Sequence, residues 1–198
     1  MPQTMTSPVG EASYAMVLGP ARQMENDPKK FWSMGIRLKV DDPNCNKFID
    51  WIRNQYSEHH GKKAEHPNGM PFIEEMIDDE LTGYIKFKFK KNELTKNGDF
   101  SGAPKVVTAD PNINWPQDKL IGNGSLVKAS FSLFPWEMTK KGGVSLYLQA
   151  VQVLKHVAYE ADGTDAFKVE EKYIQDIPTD AGSVASTNPD ITEEDLKF

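Results

Sequence analysis

Cysteine is almost absent: Cys45 stands alone in 198 residues. That excludes an intrachain disulfide and fits a reducing compartment. Long apolar runs are missing too. No stretch approaches the ~20 residues that a membrane-spanning helix needs, and no basic segment followed by an apolar run marks a signal peptide. A soluble chain in a cytoplasm, with no membrane association, is the expectation. Catalytic signatures are equally lacking. The sequence has no GxxxxGK[ST], GxGxxG, GxSxG, HExxH or CxxC pattern, so nothing in it cradles a phosphate, activates a nucleophile or closes a zinc site. His59, His60, Glu65 and His66 come nearest to a metal set, but they straddle a Gly-Lys-Lys loop rather than one helix face. The acidic run Glu74, Glu75, Asp78, Asp79, Glu80 has no lysine or histidine in a catalytic frame and reads as a solvated face. The expectation is a protein that is not an enzyme, with no cofactor and no metal.

What the chain does have is an uneven division of charge. Residues 159–198 carry eleven acids and three bases, a net of −8, whereas residues 1–158 carry 20 bases and 18 acids. The formal −6 of the whole therefore hides a mildly basic body and an acidic segment. This predicts two parts: a domain over 1–158, large enough for one sizeable core, and an acidic C-terminal segment over 159–198, disordered at least from about residue 180. The segment closes on Ile191-Thr-Glu-Glu-Asp-Leu-Lys-Phe198, an acidic patch with a terminal aromatic. A body that handles nucleic acid needs positive charge, and an acidic tail can mimic a polyanion or be read by a partner.

Period-two alternation dominates the body. Met34 to Val40 puts Met34, Ile36, Leu38 and Val40 on one face and Arg37 and Lys39 on the other. Tyr84 to Lys90 is sharper still: Ile85, Phe87 and Phe89 point inward, while Tyr84, Lys86, Lys88 and Lys90 point outward. Leu126 to Phe134 hides Val127, Ala129, Phe131 and Leu133, with Pro135 expected to end the strand. Val144 to Val153 switches parity near Ala150, which predicts a bulge there. Shorter strands are expected over Ser13–Leu18 and, as a return strand after the Asn97-Gly98 turn, over Lys105–Thr108, while residues 1–13 read as frayed. One helix is expected between the first long strand and the Lys/Phe strand. Asp42 caps it, Pro43 takes its first position, and Phe48, Ile49, Ile52 and Tyr56 form its apolar face before His59-His60-Gly61. The fold class read from this is mainly β: an OB-fold-like barrel of five to six strands with one helix after the first long strand, plus the disordered acidic C-terminal tail.

Lys86, Lys88 and Lys90 lie on one strand face at a repeat of roughly 6.6–6.8 Å, close to the phosphate spacing of an extended single strand. Arg37, Lys39 and Lys128 fall on outward parities of other strands. Aromatics accompany them: Tyr84, Phe134, Trp136 and, as secondary candidates, Trp115 and Tyr147. Basic grooves with rings on which bases stack are how single strands are bound without sequence preference. The alternative for the lysine stripe is protection of an edge strand.

Taken in order, Met34-Gly-Ile-Arg-Leu-Lys-Val-Asp-Asp-Pro-Asn-Cys45, Gly83-Tyr-Ile-Lys-Phe-Lys-Phe-Lys90, Leu120-Ile-Gly-Asn-Gly-Ser-Leu-Val-Lys128, Ser132-Leu-Phe-Pro-Trp136, Gly143 to Leu154 and the acidic tail ending in Phe198 resemble the replication single-stranded DNA-binding proteins of short-tailed coliphages. The resemblance spans most of residues 34–154 plus the terminus. It implies an OB-fold, cooperative protection and annealing of single-stranded DNA in phage replication and recombination, and dimerisation. It also implies a tail (Glu193, Glu194, Asp195, Phe198) that contacts the replication polymerase and helicase in the cytoplasm of a bacterial host. Trp136 stands where the family has a tyrosine after proline, and Met138 where it has a second aromatic. The rival expectation is a protein-interaction β-barrel adaptor with no nucleic-acid role.

Overall fold

The computed structural model describes residues 4–23 and 29–159. The chain divides into two units, Met1–Tyr159 and Glu160–Phe198. The expectations placed on the acidic tail, including Glu193, Glu194, Asp195 and Phe198, lie outside the described residues.

Among the described residues nine strands and one helix follow one another: β1 (Met5–Thr6), β2 (Gly10–Met16), β3 (Arg22–Gln23), β4 (Lys30–Lys39), α1 (Pro43–His60), β5 (Phe72–Ile77), β6 (Glu80–Asn92), β7 (Lys105–Val107), β8 (Leu126–Met138) and β9 (Lys141–Lys155). Five of them close a barrel in the order β2–β4–β6–β9–β8, with β8 returning to β2. Within this ring β6–β9 is parallel and the other pairs are antiparallel. The four short strands extend the sheet: β1 on β8, β3 on β4, β5 on β6 and β7 on β9.

The alternating residues fill the interior as their parity requires. Ile36, Phe87, Phe89, Val127, Phe131, Leu146, Leu148 and Val151 are buried together. α1 begins where Asp42 accepts a hydrogen bond from the Asn44 N–H at 2.8 Å, with Pro43 inside the first turn. Its apolar face, Cys45, Phe48, Ile49, Ile52 and Tyr56, packs on the barrel core, Phe48 meeting Phe87 at 4.8 Å between centroids. Burial of each large side chain contributes about 1.5–3 kcal/mol.

Six details differ from the sequence expectation. Residues 4–10 are built in rather than frayed: β1 pairs with β8, and buried Ser7 both donates its N–H to Ala129 O and accepts the Ala129 N–H on its hydroxyl, each at 2.9 Å. The first barrel strand accordingly runs from Gly10 to Met16 rather than from Ser13 to Leu18. β8 passes through Pro135 to Met138. Pro135 faces Val144, whose N–H turns away to Gly69 O at 2.8 Å, so the proline's missing donor lies on the unpaired side of the ladder. β7 is not a return strand on β6; it pairs in parallel with β9. The acidic run is a strand and turn: β5 folds back on β6 through Asp78 and Asp79, both at positive φ (50° and 64°). The parity switch in β9 falls at Gln149, between the Ser130–Ala150 and Phe131–Leu148 pairs, one residue from the expected bulge.

Candidate nucleic-acid interface

The β4–β6 ladder sets the site. Lys39 lies opposite Tyr84, Arg37 opposite Lys86, Gly35 opposite Lys88 and Ser33 opposite Lys90. Directly opposed residues share a sheet face, so this register gathers the two outward stripes on one surface. Their neighbours Leu38, Ile36 and Met34 and Ile85, Phe87 and Phe89 are buried, which holds the register against a one-residue slip. These are the second and third strands of the barrel, the face by which OB-type barrels bind oligonucleotides.

The lysines are individually placed. A Cβ at Gly35 would come within 2.7 Å of Lys86 Cε, so the bare backbone of β4 lets the Lys86 stem cross it. Lys86 Nζ then reaches 4.7 Å from the ring centroid of Tyr14, which is 69% exposed. Burial pushes the Lys86 ammonium below the ordinary lysine value; Glu75 offsets part of this, while Lys88 and Arg37 add to it. Lys88 is exposed, and Lys90 Nζ sits 3.7 Å above the Phe31 ring. Tyr14 is a site residue that strand reading misses. It sits at a break in the β2–β4 register with φ 48°, its N–H donating to Asn123 Oδ1 at 2.8 Å. The loop brought over from residue 123 helps to hold it there, a contact that no local signal could show.

Arg37 plays a different part. Its guanidinium pairs with Glu75 at 2.8 Å and Glu11 at 3.5 Å and stacks on Tyr84 at 4.2 Å, while the Tyr84 hydroxyl donates to Glu11 at 3.3 Å. Two carboxylates offset its charge and one face of Tyr84 is covered. Arg37 and Tyr84 thus tie β2, β4, β5 and β6 together beneath the site, and Lys39, Lys86, Lys88 and Lys90 carry its positive charge.

Aromatics extend the same face onto β9 and β8. Lys90 lies opposite Tyr147, Tyr147 opposite Ser132, Ser145 opposite Phe134, and Gly143 opposite Trp136. Phe134 is 43% exposed and lies under Lys96 Nζ at 4.9 Å. Trp136 is half-buried: its indole N–H donates to Ser145 Oγ at 3.0 Å, its ring covers Gly143, and His66 meets it edge-on at 5.3 Å. Thr139 and Lys140, both at positive φ, turn β8 into β9, leaving Lys140 and Lys141 exposed at the tip.

Two sequence candidates lie elsewhere. Trp115 is only 8% exposed; its indole N–H donates to Lys119 O at 2.7 Å and its ring packs against His156. The loop that carries it folds back on Val106, the Trp115 backbone N–H donating to Val106 O at 3.0 Å, and the ring stays covered. Lys128 is outward on β8 but lines a separate cleft of about 600 Å³ between β1 and α1, with Lys47 and Trp51. A more enclosed recess of about 630 Å³, lined by Lys88, Lys90, Ser145, Arg53 and Phe72 among others, adjoins the main face. Among the described residues no cluster of three His, Cys, Asp or Glu could hold a metal ion, and no helix is long and apolar enough to cross a membrane.

Neither a protein-family model nor a curated protein sequence matches the chain. Solved structures do. The chain is similar to gp2.5, a single-stranded DNA-binding protein encoded by bacteriophage T7, with TM-score 0.63 and 24% identity over 94% of this chain and 100% of that one. It is also similar to the single-stranded DNA-binding protein of bacteriophage Enc34, with TM-score 0.59 and 14% identity over 81% and 86% of the two chains. The Enc34 protein in complex with ssDNA matches at TM-score 0.58 and 14% identity, over 80% and 89%. The fold of this chain is that of the bacteriophage single-stranded DNA-binding proteins.

Proposed function

We propose that this protein binds single-stranded DNA without sequence preference on the outer face of β4, β6, β9 and β8. One observation carries the reading: the strand registers place Lys39, Lys86, Lys88 and Lys90 in one file that continues into Tyr147, Phe134 and Trp136. Lysines pair with phosphates, and the rings offer faces for bases at about 1–3 kcal/mol each. Binding alone accounts for the face. The solved neighbours bind single-stranded DNA by name, one of them as a complex. In this reading the protein protects and anneals single strands during phage DNA replication and recombination in the host cytoplasm. The domain over 1–158 binds DNA, a second copy completes a dimer, and the acidic segment from 159 recruits the replication polymerase and helicase.

A protein-interaction role has one observation in its favour. The β5–β6 hairpin leaves Ile73, Met76, Ile77 and Leu81 exposed beside Glu74, Asp78, Asp79 and Glu80. That surface is compatible with a DNA-binding barrel that also meets proteins. A gel-shift series comparing poly(dT), blunt duplex and RNA separates the readings. Tight, salt-sensitive retention of poly(dT) over duplex supports the proposal, and equal retention of duplex, or none of either, refutes it.

A further inference from the structure

The hairpin that carries Trp136 is fastened to the end of α1 through a buried histidine. Glu137, next to Trp136, accepts a hydrogen bond from Lys63 Nζ at 2.5 Å and lies 3.6 Å from His60 Nδ1. The His60 side chain is 3% exposed, and its Nε2 lies 3.0 Å from Gly143 O, directly beneath the Trp136 ring. The fit is close: a Cβ at Gly142 would come within 2.7 Å of the His60 ring, so only glycine lets imidazole and hairpin meet. Loop and hairpin are also joined by Gly142 N–H to Ala64 O at 2.9 Å and His66 N–H to Gly142 O at 2.8 Å.

Both ring nitrogens of His60 face acceptors, the Gly143 carbonyl and the Glu137 carboxylate. A neutral imidazole has one N–H and can serve only one of them; the imidazolium serves both. With Nε2–H on Gly143, the buried Nδ1 has no hydrogen-bond partner. The other groups around the ring do not supply one. From α1 the Tyr56 ring lies 4.8 Å away with its hydroxyl donating to Lys63 O; β9 presents only the backbone of Gly142 and Gly143; in the loop after α1, Lys63 is engaged by Glu137 and Glu65 pairs through its backbone with Gly142.

We propose that Glu137, gripped by Lys63 and lying against His60, is a positioning residue for the DNA-binding hairpin. This rests on the DNA-binding reading above. It has a consequence opposite in sign to simple electrostatics. Glu137→Gln removes a negative charge beside a basic face, which by charge alone strengthens DNA binding; loss of the clamp weakens it.

The test is fluorescence anisotropy of a labelled dT oligonucleotide with the full chain, at constant ionic strength and pH. Glu137→Gln is expected to weaken binding roughly two- to fivefold, the worth of an exposed ion pair. His60→Gln should weaken it likewise, and the double variant should add nothing further. Lys63→Arg should restore what Lys63→Met loses. Glu137 and Lys63 are surface residues, so their variants decide the matter even if His60→Gln fails to fold. Unchanged or tighter binding by Glu137→Gln overturns the clamp and leaves DNA binding standing. Wild type that ignores dT overturns the DNA-binding reading itself, and the clamp with it.

Discussion

Replacing Lys86, Lys88 and Lys90 together with alanine should weaken single-stranded DNA binding in a way that salt erases. Each lysine that neutralises a phosphate adds about 0.7 to the slope of log affinity against log salt, so removing three lowers the slope by about 2. The lost term vanishes near molar salt. At ~0.1 M, one decade lower, it amounts to about a hundredfold in affinity. Stability should move little. Lys88 and Lys90 reach solvent, and Lys86 leaves a site where burial and two like charges already oppose its charge. What the variant gives up is two ring contacts, Lys86 on Tyr14 and Lys90 on Phe31, each worth about 0.5–1 kcal/mol at an exposed site. The assay is a titration of labelled dT oligonucleotide over a range of salt, with thermal melting alongside. A variant that binds with the wild-type slope would show the stripe to be edge protection. One whose deficit is the same at every salt would show that the lysines act through the fold.

Trp136→Ala should cost about 1–3 kcal/mol of binding and abolish most of the quenching of tryptophan fluorescence by poly(dT); Trp115→Ala should leave affinity intact and lower the melting temperature, because its ring is buried. Affinity should decline in alkaline solution, beginning below the ordinary lysine value of 10.5. The sign follows from linkage: a phosphate favours charged Lys86, so that contribution is complete below the depressed pKa of the free protein and is lost as pH rises through it. Lys86→Arg should move the decline to higher pH. Deleting residues 180–198, which hold five acids and one base, should raise affinity for single strands at low salt and abolish contact with a replication partner. Phe198→Ala alone should spare DNA binding, and a truncation that leaves low-salt affinity unchanged would refute the tail as a competing polyanion.

Local pattern carried a large part of this fold. A strand repeats every two residues, so the alternation at Met34–Lys39 and Tyr84–Lys90 states which side chains face in and which face out, whatever the neighbouring strand. Asp42-Pro43 states where the helix begins, because a cap and a first-turn proline act within a few residues. The outward placement of the lysine file and of Phe134 was legible for that reason. The aromatic and basic residues whose burial depends on distant chain were not: parity leaves Trp115 undecided between plug and platform, and it leaves Lys128 on an outward face without saying which groove lies outside it.

Tertiary structure decided the rest through contacts between residues far apart in the chain. Closing β9 against both β6 and β8 carries the basic file into the aromatic one. Glu11 and Glu75, from two other strands, make Arg37 a structural tie rather than a free cation. Asn123 holds Tyr14 over Lys86, and the end of α1 meets Glu137 across 77 residues of chain, from His60 to Glu137. Charge, parity and caps are properties of short segments, so the sequence determines them by itself. Which charges are paired, which rings are covered and which strands adjoin depend on the closed barrel, and only the folded chain brings those partners within hydrogen-bonding distance.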